Sequence, residues 1–181
     1  MCIRDRSLDW HRSYRLTFEY TCQPAKGIYF VGWDDPSGRA RKQIWTQGQG
    51  INHRHWIPSF DDQNDKLITA VHVSFPSEYT VIGNGVLQSK QEQGENTLWH
   101  YAMDQPHALY LLMLAIGEYD VLTMESTSHV QHEQYYYPDN PETAEVTYRF
   151  SREMMDWFEE ELGIDYPCLL YTSDAADDQA C

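Results

Sequence analysis

The sequence is poor in several things at once, and each shortage removes a class of function. Its 181 residues hold 13 Lys and Arg against 28 Asp and Glu, a formal net charge of −15. Nucleic acid and anionic lipid are excluded as partners, because binding a polyanion rests on cations that displace its counterions. Long apolar runs are missing. The longest, residues 109–116, has the length of a buried strand, against the roughly 20 residues of a membrane helix, so no membrane span is expected. Cysteine occurs only at positions 2, 22, 168 and 181, with no Cys-x-x-Cys pair to hold zinc or run dithiol chemistry. Gly-x-Ser-x-Gly elbows and Gly-rich phosphate loops are absent as well. Aromatics are abundant: 13 Tyr, 6 Trp and 6 Phe. That is more bulk than a solvated, disordered acidic chain carries.

The two ends read as foreign. Residues 1–6, Met-Cys-Ile-Arg-Asp-Arg, back-translate to a DNA whose reverse complement encodes Cys-Leu-Leu-Tyr-Thr in another frame, and residues 168–172 are that peptide. The DNA resembles a transposon-end sequencing adapter. Residues 1–6 and 168–181 are therefore expected to be translated adapter, and residues 7–167 the natural insert. Only Cys22 then remains, so no disulfide can form within the insert.

Between those ends the period of apolar residues is two. Tyr14, Leu16, Phe18 and Tyr20 alternate with Arg15, Thr17 and Glu19, and Leu67, Thr69, Val71, Val73 and Phe75 alternate with Ile68, Ala70, His72 and Ser74. With no long amphipathic helix between them to make crossovers, these strands are expected to be antiparallel. Gly83-Asn84-Gly85 predicts a hairpin between residues 79–82 and 86–87. Residues 97–103 and 109–116 predict a second pair, and residues 129–137 and 144–150 a third across the loop 138–141, whose prolines cannot donate to a ladder. The period then changes. Ser151 is placed to cap a helix whose broad apolar face holds Met154, Met155, Trp157, Phe158 and Leu162, with Gly163 as its left-handed stop and Ile164 beyond. A face that wide requires a partner.

Candidate chemistry is sparse. His53 and His55 would share one side of a strand, but no spacing supplies a third zinc ligand, and a polar edge position beside Trp56 is the better reading. His132-Glu133 fails as a zinc helix, because Tyr136 stands where the second His is needed. The carboxylate pairs Asp34-Asp35 and Asp61-Asp62 sit at turns, where Asp serves nearby backbone N–H groups. The segment 43–50, Gln-Ile-Trp-Thr-Gln-Gly-Gln-Gly, is unusual: Gln47 and Gln49 point the same way, and Gly48 between them admits a close approach by backbone or ligand. Amides at that spacing suit a peptide terminus or carbonyl, and they equally suit a solvated loop. The tryptophans Trp33, Trp45, Trp56 and Trp99, with Tyr135-Tyr136-Tyr137, raise a separate possibility, a carbohydrate-binding β-sandwich.

Six segments occur in a telling order: Lys26-Gly27-Ile28-Tyr29-Phe30; residues 43–49; Arg54-His55-Trp56-Ile57-Pro58-Ser59-Phe60-Asp61-Asp62; Tyr79 through Gly85; Met103-Asp104-Gln105-Pro106-His107; and Glu153 through Pro167. Together this series resembles the aminopeptidase N family of zinc metallopeptidases, which includes leukotriene A hydrolase. The resemblance implies a mainly β fold: residues 7–150 as an antiparallel β-sandwich or saddle N-terminal domain, incomplete at its start, and residues 151–167 as the first α-helix of a thermolysin-like catalytic domain. It implies a parent that removes N-terminal residues from peptides with zinc. The family's zinc helix and exopeptidase motif are not in this sequence, so no catalytic residue and no metal ligand is expected here. What the resemblance does assign is substrate binding: Gln47 at the first side-chain subsite, and Gln49 at a Glu-or-Gln position that holds the substrate's free α-amino group. The implied partners are peptides with a free N-terminus and the chain's own catalytic domain. A scaffold relative without zinc chemistry is the alternative within the family.

Overall fold

A computed structural model describes residues 11–125, 131–164 and 166. The expected adapter segments, 1–6 and 168–181, and His129 lie outside the described residues. In chain order the elements are β1 (Ile28–Val31), β2 (Gln43–Thr46), β3 (Lys66–Pro76), β4 (Thr80–Gly83), β5 (Val86–Gln93), β6 (Asn96–Ala108), β7 (Leu114–Gly117), β8 (Asp120–Glu125), β9 (Gln131–Tyr136), α1 (Pro141–Tyr148) and α2 (Ser151–Leu162). Every pairing among them is antiparallel.

In β3 the period of two does what it predicts. Along β3, Leu67, Thr69, Val71, Val73 and Phe75 are partly buried and the residues between them are exposed. Along β6, Thr97, Trp99, Tyr101 and Met103 are buried. These strands form a three-stranded sheet in the order β3-β6-β5, which faces a four-stranded sheet in the order β1-β2-β7-β4. The core lies between them: Ile44, Val81, Leu114 and Ile116 from one sheet, Trp99 and Tyr101 from the other, with Tyr79 beside them and Ile28, Trp33, Val73 and Phe75 packed around. Each fully buried aliphatic side chain here contributes roughly 1.5–3 kcal/mol. The Tyr101 hydroxyl donates to the Val81 carbonyl at 2.8 Å, tying the sheets together. Burial, aided by the charge of Glu133, pushes that hydroxyl up to about 12, so it remains a donor at any ordinary pH. The hairpin of β8 and β9 stands apart as a two-stranded sheet.

Several expected pairings are corrected. Gly83-Asn84-Gly85 does not close a hairpin: β4 pairs with β7, and β5 pairs with β6 in the opposite sheet. The segment is a corner between sheets. Gly85, at φ +81°, lies so close to the Ala102 backbone that a Cβ would sit 2.1 Å from its carbonyl oxygen. The Asn84 amide donates to the Leu111 carbonyl at 3.1 Å and accepts from the Met113 N–H, joining this corner to the chain's return crossing. Residues 97–103 and 109–116 do not pair with each other either. β6 continues to Ala108 through an irregularity in which Asp104, Gln105 and Pro106 stand against the single Ile68, absorbing the proline's missing N–H. A 3-10 turn at Leu109–Leu111 then carries the chain to β7 in the other sheet.

The third expected pair fails for a different reason. β9 pairs with β8, and Pro141–Tyr148 is helical. Pro141 opens α1, where its fixed φ suits a first turn and its missing N–H costs nothing, and Glu142 meets the positive end of the helix dipole. In α2, Phe150 rather than Ser151 is the N-cap, and Ser151 is the first helical residue. The stop is as expected: Gly163 is left-handed, and its N–H reaches the Glu159 carbonyl at 2.9 Å. Met154, Trp157, Phe158 and Leu162 remain about half or more exposed. Residues 11–20 form no strand, and Tyr14, Leu16, Phe18 and Tyr20 are exposed. Alternation supplies a face but no ladder, and no described strand pairs with this segment. Cys22 is exposed and lies outside the sheets.

Candidate functional site

The segment carrying the two glutamines leaves the end of β2 at Thr46 and is held at every step. The Gln47 N–H donates to the Gly27 carbonyl at 2.9 Å. The Thr46 hydroxyl accepts from the Leu114 N–H at 2.9 Å, fixing the strand end to β7. Beyond Gly48 the chain closes on itself: the Asn52 N–H reaches the Gly48 carbonyl at 3.2 Å, and the Asn52 amide reaches the Gln49 carbonyl at 2.9 Å. Gln47 and Gln49 are exposed, while Gly48 between them is buried. The expected shared direction of the glutamines is present, with Gln47 Nε2 3.4 Å from Gln49 Oε1. The close approach at Gly48 is made by the protein itself. A Cβ there would lie 2.2 Å from His53 Nε2 and 2.4 Å from the Tyr110 carbonyl oxygen.

His53 and His55 are not on a strand. Residues His53–His55 form a 3-10 turn, which sends His53 inward, with no exposed surface, and leaves His55 exposed. His53 Nε2 lies 2.8 Å from the Leu112 carbonyl oxygen, and the Trp56 indole N–H donates to His53 Nδ1 at 2.9 Å. Burial pushes the imidazole below its usual 6.5, partly opposed by the Leu112 carbonyl and the charge of Asp61. That burial favours the neutral ring. Asp61, buried and at φ +48°, accepts the Arg54 N–H at 2.9 Å and closes the turn that carries His53.

Among the described residues no three His, Cys, Asp or Glu side chains come together where a metal ion could be held. A zinc ion therefore does not fit the described residues. His132 lies on β9, consistent with its rejection as part of a zinc helix. The Asp pairs behave as turn residues: Asp35 accepts the N–H groups of Ser37, Arg39 and Ala40, and Asp62 accepts that of Asn64. A sugar platform is not built from the four tryptophans. Trp99 is buried, Trp33 packs against Phe75 and Tyr79, and Trp56 serves His53. Of the four, Trp45 is the exposed one, and it stacks on Tyr29.

What the arrangement offers is a pair of uncharged amides at the surface of a loop whose backbone is pinned below them. The carbonyl oxygens can accept from an ammonium, and the NH2 groups can donate to a peptide carbonyl. The pinning groups were not legible in the sequence. Leu112 is 59 residues from His53, and nothing in a period-two pattern marks a backbone carbonyl as a partner. The nearest local signal was Gly48 itself, which marks a close approach without saying what approaches.

Comparison with known proteins gives a consistent result. A family model described as the peptidase M1 N-terminal domain matches residues 3–111. Glutamyl aminopeptidase of Sus scrofa is 24% identical over 168 residues, covering 84% of this chain and 17% of that protein. Aminopeptidase B of Rattus norvegicus is 27% identical over 105 residues, 58% of this chain and 16% of that protein. Puromycin-sensitive aminopeptidase of Caenorhabditis elegans is 23% identical over 144 residues, 78% of this chain and 15% of that protein. The chain thus spans about one sixth of the length of the curated relatives it matches.

Proposed function

The chain belongs to the peptidase M1 family, and on that premise we propose that its parent is a metalloaminopeptidase that removes N-terminal residues from peptides, with this chain supplying the N-terminal β domain and part of the substrate site. The observation that carries the reading is the Gln47–Gln49 pair, outward-facing on a loop held by hydrogen bonds to Gly27, Gly48, Gln49 and Leu112. Gln49 Oε1 accepts from the substrate's α-ammonium, and Gln47 lines the first side-chain subsite. A pinned loop suits that task, because an amide that is already placed loses little freedom when the amine arrives. Gln49 supplies an acceptor without a charge, so the ammonium is neutralised by groups outside this chain. The zinc and its ligands belong to another part of the parent, as does the helix face that α2 packs against, and the 181-residue chain alone has no peptidase activity. Residues 7–150 form the β domain in this reading, and residues 151–167 begin the catalytic one.

The test is Gln49→Ala in the complete peptidase. Loss of a hydrogen bond to a charged group costs about 1.5 kcal/mol or more, roughly tenfold in kcat/KM. Unchanged kinetics would remove Gln49 from the site. Gln49→Glu adds the missing charge and is expected to lower KM.

A further inference from the structure

We propose that His53 is the positioning residue of this site: its neutral ring, protonated on Nε2, locks the loop bearing Gln47 and Gln49 to the Leu112 carbonyl and so fixes where the two amides meet a substrate's amine. The proposal rests on the amine-binding reading of Gln47 and Gln49 given above.

The tautomer follows from the partners. An indole N–H only donates, so the 2.9 Å contact from Trp56 Nε1 makes His53 Nδ1 the acceptor. The ring proton then resides on Nε2, where the Leu112 carbonyl takes it at 2.8 Å. Both edges of the imidazole are satisfied in the neutral state. Protonating Nδ1 would set an N–H against the Trp56 N–H, and burial further disfavours the charge. The groups facing the ring are the Tyr110 and Leu112 carbonyls, the Trp56 indole and the Asp61 carboxylate, whose charge is shared with Arg54.

The position of the ring gives it leverage on the glutamines. Gly48, the residue between them, lies directly over Nε2, at a spacing with no room for a Cβ. The ring is thus the floor of the loop. Gln47 is fixed on one side by Gly27, and Gln49 on the other by Asn52, the residue preceding His53. Without the ring, Gly48 loses its support, and the separation of the two amides is no longer set. A residue that merely filled the core would need no donor aimed at Leu112 and no acceptor aimed at Trp56.

Two arms test the proposal. Nitrogen-15 NMR of the imidazole in the unaltered 181-residue chain should show the neutral Nε2–H form, and it should persist at pH 6, where a free imidazole of pKa about 6.5 is mostly charged. An Nδ1–H tautomer or a charged ring at pH 7 overturns the proposal without any variant. In the complete peptidase, His53→Leu should raise KM for substrates with a free α-amine about tenfold while kcat per active enzyme changes less than twofold. His53→Gln, which restores an amide donor toward Leu112, should recover most of that loss. The double variant His53→Leu/Gln49→Ala should be little worse than Gln49→Ala alone. If Gln49→Ala raises KM and His53→Leu leaves it unchanged, positioning by His53 is refuted and the amine site stands. If Gln49→Ala itself has no effect, both readings fall.

Discussion

Replacing Gly48 by Ala tests the packing beneath the glutamines more directly than any change to the glutamines themselves. The added methyl would be 2.2 Å from His53 Nε2 and 2.4 Å from the Tyr110 carbonyl oxygen, where carbon contacts normally lie at about 3.5–4.0 Å. More than 1 Å of relief is therefore needed on two sides. Neither neighbour yields easily: His53 is hydrogen-bonded at both nitrogens, and Tyr110 sits in the short turn between β6 and β7. Over-packing of this kind costs roughly 1–3 kcal/mol. If the ring is displaced, the Leu112 carbonyl also loses its shorter hydrogen bond and keeps only the Thr46 hydroxyl at 3.4 Å, adding about 1 kcal/mol. The expected loss is about 2–4 kcal/mol, a large part of the roughly 5–15 kcal/mol that holds a domain together. Urea unfolding of the 181-residue chain, followed by tryptophan fluorescence, reads this as a fall in midpoint of about 1–2 M, taking a slope of about 2 kcal/mol per molar. The backbone conformation of Gly48 is one that Ala can adopt, so the effect is steric alone. His53→Ala should consequently relieve part of it, and the double variant should cost less than the two single changes added together. A midpoint within 0.2 M of the parent, or strict additivity, would refute the account of the loop resting on the ring.

Two further outcomes follow from other corners of the molecule. Asn84→Ala strips the Leu111 carbonyl and the Met113 N–H of their side-chain partner at the crossing between sheets, and roughly 1–3 kcal/mol of stability should be lost. The same urea titration checks it, and an unchanged midpoint would show that the crossing is held by other contacts. The Asp35 carboxyl, held down to about 2 by the backbone N–H groups of Ala40, Ser37 and Arg39 and by the Ser37 hydroxyl, should titrate there when its side-chain carbon is followed by NMR. Because its folded value is lowered, its contribution is full above the ordinary 3.8 and is lost as pH falls through about 2. A midpoint near 3.8 would mean that the Asp35 turn is not formed.

The sequence by itself determined which residues face inward wherever a strand forms. Successive side chains of an extended chain point to opposite sides, so Leu67, Val71, Val73 and Phe75 on β3 declared a buried face before any partner was known. It also determined the end of α2, because a left-handed cap at Gly163 depends on that residue and the few before it. The turn at Asp35 was equally legible, its partners lying within five residues.

Only the tertiary structure decided which strand lies beside which. Period two fixes a face and is silent about neighbours, so Gly83-Asn84-Gly85 reads as a hairpin although it sends the chain from one sheet to the other. The same limit explains residues 11–20, where alternation is clear and no described strand completes the ladder. Residues 144–150 are expected as a strand, yet Pro141 and Glu142 start a helix that runs to Tyr148. The candidate site divides along this line. Gln47, Gly48 and Gln49 could be picked out from their own spacing. That their loop rests on His53, and His53 on a carbonyl 59 residues away, depends on the fold bringing the start of β7 beside the end of β2, a contact that no local pattern encodes.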